Sequence, residues 1–157
     1  MRNRIPITEY IEKVIHDIRF AVLVTENGRQ PHASLIAVTP MEGNLILLFA
    51  TYRNTRKYTN LLQNGKVAVL FENKSLQKIN FQDITVLTAY GQAEEVVSHT
   101  KKDLMAHMSR HPDMKTFFLS NDCAFFRVIV DAYQLVQGID DVNWWNINDP
   151  DVHYVDQ

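Results

Sequence analysis

Residues Leu45-Ile46-Leu47-Leu48-Phe49-Ala50 form an unbroken apolar run of strand length, bounded by Glu42-Gly43-Asn44 before and Thr51-Tyr52-Arg53-Asn54 after. In a strand, alternate side chains point to opposite faces. Leu45, Leu47 and Phe49 would occupy one face and Ile46, Leu48 and Ala50 the other, so both faces need cover. The two runs before it, 20–25 and 31–38, are joined to each other and to it by short turns. One of these turns carries Asn27-Gly28, a strong hairpin signal. A parallel sheet needs a crossover of a dozen or more residues between neighbouring strands, and these links are too short for that. The chain is therefore expected to build an antiparallel sheet, and a barrel wall covered by helices or by a second copy of the chain meets the demand for two buried faces.

The rest of the sequence fits this frame. Residues 8–17 read as a helix capped by Thr8, with Ile11, Val14, Ile15 and Ile18 at helical spacing. Residues 39–43 read as a turn. A second helix is expected from Asn54 or Thr55 to the stop at Asn64-Gly65. Strand 66–72 follows, then a polar loop over 73–82 and a long strand over 83–97 bent at Gly91. Helix 98–110, capped by Ser98, ends at His111-Pro112-Asp113, and a short helix continues to residue 119. Strand 124–137 and a polar tail, 138–157, complete the chain. The reading is mainly β: six antiparallel strands in a barrel with peripheral helices. A length of 157 residues suits one domain, 1–157, with its core over about 20–137.

Composition excludes several functions. The formal charge is −2 and no long basic run occurs, so the electrostatic footprint of a nucleic-acid binder is missing. The one cysteine, Cys123, cannot close an internal disulfide or build a cysteine-based metal knot, and it fits a reducing, cytoplasmic setting. Its apolar neighbours Ala124, Phe125 and Phe126 mark it as a small buried hydrophobe. Met1 to Pro6 is basic, but no apolar segment of signal length follows. No stretch is long and apolar enough to span a bilayer.

The chemistry concentrates in Thr51-Tyr52-Arg53-Asn54-Thr55-Arg56-Lys57, where a strand hands over to a helix. The first turn of a helix has unpaired N–H groups and a partial positive charge. Cations there are locally unfavourable unless an anion joins them, and a phosphate would resolve the conflict. Arginine can hold it in a fork and lysine adds a point charge. From the charge pattern alone, a solvated helix face is the competing reading of Arg53, Arg56 and Lys57.

This segment, continued by Asn60-Leu61 and Asn64-Gly65-Lys66-Val67-Ala68-Val69-Leu70-Phe71, resembles the flavin-phosphate segment of the pyridoxamine 5'-phosphate oxidase-like split-barrel family. Gln30-Pro31-His32-Ala33-Ser34-Leu35-Ile36 is similar to the family strand that lines the isoalloxazine ring, and residues 85–93 resemble its long central strand. The resemblance implies a split barrel that binds flavin mononucleotide (FMN). Thr51, Thr55, Arg56 and Lys57 would hold the phosphate, and Ser34, Leu35 and Ile36 would border the ring. It also implies a homodimer with the cofactor at the interface and a flavin-dependent oxidoreductase acting on a small-molecule redox substrate. The family's oxidase ends in an Arg/His-bearing segment that reads the substrate phosphate. This chain ends instead in Asp140-Asp141-Val142-Asn143-Trp144-Trp145-Asn146, which points away from a pyridoxine-phosphate substrate.

Other residues carry alternatives. Trp144 and Trp145 could cover a flavin from the partner subunit, or anchor the tail on the barrel, the commoner role. His107 and His111 stand four apart as metal ligands can, but no third ligand is near and Pro112 follows the second, so no metal site is expected. A non-catalytic module holding flavin, haem or deazaflavin is the alternative function. For haem, His32 or the group His99, His107 and His111 would have to supply the axial ligand.

Overall fold

The computed structural model describes residues 3–72, 80–97 and 101–157. The elements run β1 (Arg4–Pro6), α1 (Ile7–Asp17), β2 (Phe20–Thr25), β3 (His32–Ala37), β4 (Thr39–Met41), β5 (Ile46–Tyr52), α2 (Arg56–Gln63), β6 (Lys66–Glu72), β7 (Thr85–Glu95), α3 (Lys101–Arg110), α4 (Lys115–Phe118), β8 (Cys123–Gln137), β9 (Asp141–Asn146) and β10 (Tyr154–Asp156). The expected cap by Ser98 and the ligand candidate His99 lie outside the described residues, as does most of the expected loop 73–82.

The main sheet has the order β3-β2-β6-β7-β8-β5-β4, with β9 added beside β8. Its pairings are antiparallel throughout. β3 and β4 are successive segments of one run, separated only by Val38. That run pairs with β2 at one edge of the sheet and with β5 at the other. A curled antiparallel split barrel results, and its six long strands are those expected from the sequence.

Alternation decides what fills the interior. Ala21, Leu23, Leu47, Phe49, Val69, Leu87, Phe126, Val128 and Tyr133 point inward and are buried. Ile7, Ile11 and Ile15 of α1 join the same cluster from one side. Each fully buried isoleucine contributes about 1.5–3 kcal/mol through removal of apolar surface from water. The second face of β5 is covered as its sequence requires. Ala50 packs with Phe118, Cys123 and Phe125, against Leu104 and Met108 of α3. Cys123 is buried, and that burial pushes its thiol up to about 11.

Several expectations need correction. Thr8 does not cap α1: Pro6 is the N-cap and makes no side-chain cap hydrogen bond. Residues 39–41 are strand, and the turn is tighter, with Glu42, Gly43 and Asn44 all at positive φ. Leu45 therefore sits in the turn and β5 begins at Ile46. The tail is not purely polar coil: β9 pairs with β8, and β10 pairs with β1. Arg4 donates to the Tyr154 carbonyl at 2.9 Å and Gln137 to the Asp156 carbonyl at 2.7 Å. The bend in β7 is a bulge between Tyr90 and Gly91. A Cβ on Gly91 would lie 2.2 Å from the Ile129 carbonyl oxygen, so the close approach admits only glycine.

Candidate functional site

Thr55 makes the strand-to-helix corner. It is the N-cap of α2, with extended backbone, and its Oγ1 accepts from the Tyr58 N–H at 3.3 Å. The same hydroxyl donates to the Tyr52 carbonyl at 2.9 Å and stands 3.0 Å from the Thr51 hydroxyl. Thr51 is only 2 % exposed, on the inner face opposite Ala124. The two hydroxyls are thus brought together, and the outer one, Thr55, is the more accessible of the pair.

The cations of the segment have different surroundings. Arg53 donates to the carbonyls of Asn121 and Cys123 at 2.9 and 3.2 Å and approaches Glu95 at 3.5 Å. It ties the end of β5 to the start of β8, a structural duty that removes it from the candidate ligands. Tyr58 donates to the other oxygen of Glu95 at 3.3 Å. Arg56 is exposed and, among the described residues, forms no hydrogen bond or ion pair. Lys57 is half-buried, and desolvation lowers its pKa from the ordinary lysine value. An anion in contact would favour its charged form again. No acidic residue stands in the first turn of α2 to satisfy either charge.

Two carboxamides dock α2 on the first hairpin. Buried Asn60 donates to Thr25 Oγ1 at 3.0 Å, and Asn64 donates to Glu26 at 2.8 Å. Between hairpin and helix lies a cleft of about 410 Å³ lined by Asn27, Arg29, Gln30, Arg56, Thr59 and Asn60. Sequence reasoning passed over Arg29. The only available signal was its place beside the Asn-Gly turn, and the proximity of that turn to α2 is a tertiary fact.

β3 is the second component. Among the described residues it has a strand neighbour on one side only, β2, so alternate backbone N–H and C=O groups along His32–Ala37 have no ladder partner there on the other side. Leu35 projects outward and is 66 % exposed, whereas Ile36 is buried in the core and can offer a ligand only its backbone. Ser34 faces inward opposite Leu23, and its buried Oγ has no partner among the described residues. A flavin presents a phosphate, an apolar tricycle and a polar pyrimidine edge. Unpaired cations, an exposed leucine and a free strand edge with an orphaned hydroxyl are the complementary chemistry. The residues present fit the group.

The histidines occupy another region. His107 and His111 are fully buried on α3 and its C-terminal extension, with ring centroids 5.0 Å apart. His107 Nδ1 is 2.6 Å from the Thr39 hydroxyl, and His111 Nε2 is 2.9 Å from the Val38 carbonyl. Phe118 packs 4.4 Å from the His107 ring. Among the described residues there is no group of three His, Cys, Asp or Glu that could hold a metal. No helix among them is long and apolar enough to cross a membrane. The tryptophans split by face: Trp145 stacks on buried Tyr133 at 5.8 Å, while Trp144 stacks on Tyr90 at 5.6 Å and stays 45 % exposed.

Residues 7–137 match the family model for pyridoxamine 5'-phosphate oxidase. No curated protein matches the chain in sequence. Several solved structures share the fold. The haem-binding protein from Mycobacterium smegmatis aligns with a TM-score of 0.76 at 15 % identity, over 88 % of this chain and 57 % of that one. A protein from Clostridium acetobutylicum, related to general stress protein 26 of B. subtilis and described as pyridoxinephosphate oxidase family, aligns with a TM-score of 0.69 at 11 % identity, over 90 % and 94 %. HutZ, the haem storage protein from Vibrio cholerae, aligns with a TM-score of 0.68 at 14 % identity, over 78 % and 88 %.

Proposed function

From the premise that this chain belongs to the pyridoxamine 5'-phosphate oxidase family, we propose that it binds FMN and works as a flavin-dependent oxidoreductase on a small-molecule redox substrate. The observation that carries the reading is the pair of uncompensated cations, Arg56 and Lys57, at the start of α2. Arg56, Lys57 and the Thr55 hydroxyl would hold the phosphate, with Thr51 fixing Thr55 from behind. The free edge of β3 at Ser34, Leu35 and Ile36 would take the ring. When bound, the isoalloxazine supplies the electron transfer, and the protein's part is binding, orientation and exclusion of water. The reading includes a cytoplasmic protein of one domain.

A homodimer belongs to the same reading. Val22, Val24, Ala68, Leu70, Tyr90 and Trp144 share the outer face of the sheet by their pairing register. α3 and α4 cover a different part of that face, over β5 and the start of β8. A second copy on the apolar stripe would satisfy it and shelter a flavin lying along β3.

The test begins with the absorbance spectrum of freshly purified protein and mass analysis of released ligand. FMN and riboflavin are then titrated into parent protein and into the double variant Arg56→Ala, Lys57→Ala. Charge-assisted hydrogen bonds contribute about 1.5–3 kcal/mol each, so the variant should lose more than about tenfold in FMN affinity and little in riboflavin affinity. Protein that is colourless and takes up no FMN would end the proposal. Turnover of reduced nicotinamide with an artificial acceptor separates an enzyme from a carrier.

Non-catalytic haem binding is kept as the second reading because two proteins that share the fold are named for haem. His107 and His111 suit it poorly, since both rings are fully buried against each other and Phe118 and present no open side to a haem. His32, half-buried at the start of β3, is the better axial candidate. A Soret band on haem titration that vanishes in His32→Ala would support this reading.

A further inference from the structure

The hairpin β2–β3 turns through Glu26 to Pro31, with Gly28 at φ +87°. The one carboxylate of that turn is committed elsewhere. Glu26 accepts from Asn64 at 2.8 Å through one oxygen and from the Gly28 N–H at 3.2 Å through the other. Arg29, three residues beyond Glu26, is exposed and has no hydrogen bond or ion pair among the described residues. It lines the same cleft as Arg56, which is equally unpartnered. The remaining lining groups, Asn27, Gln30, Thr59 and Asn60, are neutral and polar, and among the described residues no acid lines the space.

Two guanidinium groups facing one cleft repel each other, and that repulsion is relieved by an anion between them. Planar forks of N–H donors suit the oxygens of a phosphate or carboxylate. We propose that the cleft between the β2–β3 hairpin and α2 is an oxyanion-binding site whose two cationic walls are Arg29 and Arg56. The bound group is either the flavin phosphate itself, with Arg29 as a further ligand contributed by the hairpin, or the anionic group of a separate small molecule held beside it. The inference shares Arg56 with the flavin reading but stands on Arg29. Arg29-dependent phosphate binding in a protein that never takes up flavin would preserve it while that reading failed.

The test uses full-length protein, with inorganic phosphate as the probe. Amide resonances are followed by heteronuclear NMR during titration, with and without saturating FMN. Saturable shifts are expected in the hairpin turn and the first turn of α2. Arg29→Gln should weaken phosphate binding about tenfold. Lys115→Gln, which removes the same unit charge from α4, should leave it unchanged. Both substitutions are at exposed side chains, so folding is not at issue. If FMN blocks the phosphate shifts, the flavin phosphate is the occupant; if they persist, the site takes a separate anion. No saturable shift, equal binding in Arg29→Gln and parent, or equal weakening by Lys115→Gln would overturn the proposal.

Discussion

Acid should loosen this protein well above the pH at which carboxylates titrate, and the buried histidines on α3 set the size of the effect. Burial pushes His107 down to about 3, with repulsion from His111 and Arg110 adding to it. His111 is lowered too, chiefly by burial, while its hydrogen bond to the Val38 carbonyl acts the other way. The folded state therefore refuses a proton that the unfolded chain accepts near the ordinary value of 6.5. Stability from this source is complete above that value and is lost progressively as pH falls towards 3. One pKa unit corresponds to about 1.4 kcal/mol, so His107 alone should cost the fold about 2 kcal/mol between pH 7 and pH 5, with His111 adding in the same direction. Urea unfolding at pH 7, 6 and 5 measures this directly. His107→Asn keeps a polar group at the Nδ1 position that faces Thr39 but cannot titrate; whatever its stability at pH 7, its decline towards pH 5 should be about 2 kcal/mol shallower. Equal declines in parent and variant would refute the reasoning.

Other outcomes follow from single contacts. Gly91→Ala should destabilise the fold by at least about 2 kcal/mol in chemical unfolding, because the added methyl meets the backbone of β8 and not a side chain that can swing away. Thr55→Ala removes the N-cap of α2 and should cost about 1 kcal/mol, together with part of the FMN affinity in the same titration as above. If the proposed homodimer is seated on the outer stripe, Leu70→Lys should lower the mass seen by light scattering to that of a monomer while leaving the circular dichroism spectrum intact. Cys123 should react slowly with iodoacetamide at pH 8 in native protein and quickly after denaturation, since its thiol is buried and held near 11.

How far the sequence discloses this molecule depends on the range of the interactions that fix each part. β2 and β6 have the expected limits because alternation and local turn chemistry define them. β5 was legible as a two-faced strand, and its second cover, Phe118 with Leu104 and Met108, comes from the two helices expected between the last two long strands. Thr55 as a cap is equally local. What could not be read is set by meetings across the fold. Arg53 shared with Arg56 and Lys57 the alternative of a solvated helix face, yet its guanidinium is consumed by carbonyls about seventy residues away. Ile36 matched the ring-lining pattern, but its side chain went to the core and left only backbone. β9 and β10 are short, and they exist as strands because β8 and β1 offer them open edges.

Val38 is a single peptide on which two otherwise separate regions converge. Its N–H donates to the Arg19 carbonyl at 3.1 Å, and its own carbonyl receives Arg110 and His111 at 3.1 and 2.9 Å. Arg110 also reaches the carbonyls of Ile15 and Ile18 at the end of α1. Two residues upstream is Ile36, on the open margin of β3. The buried His111 thus holds a peptide only two residues from the rail along which the proposed chromophore would lie. The colour and emission of a bound flavin would then serve as a remote gauge of histidines it never touches.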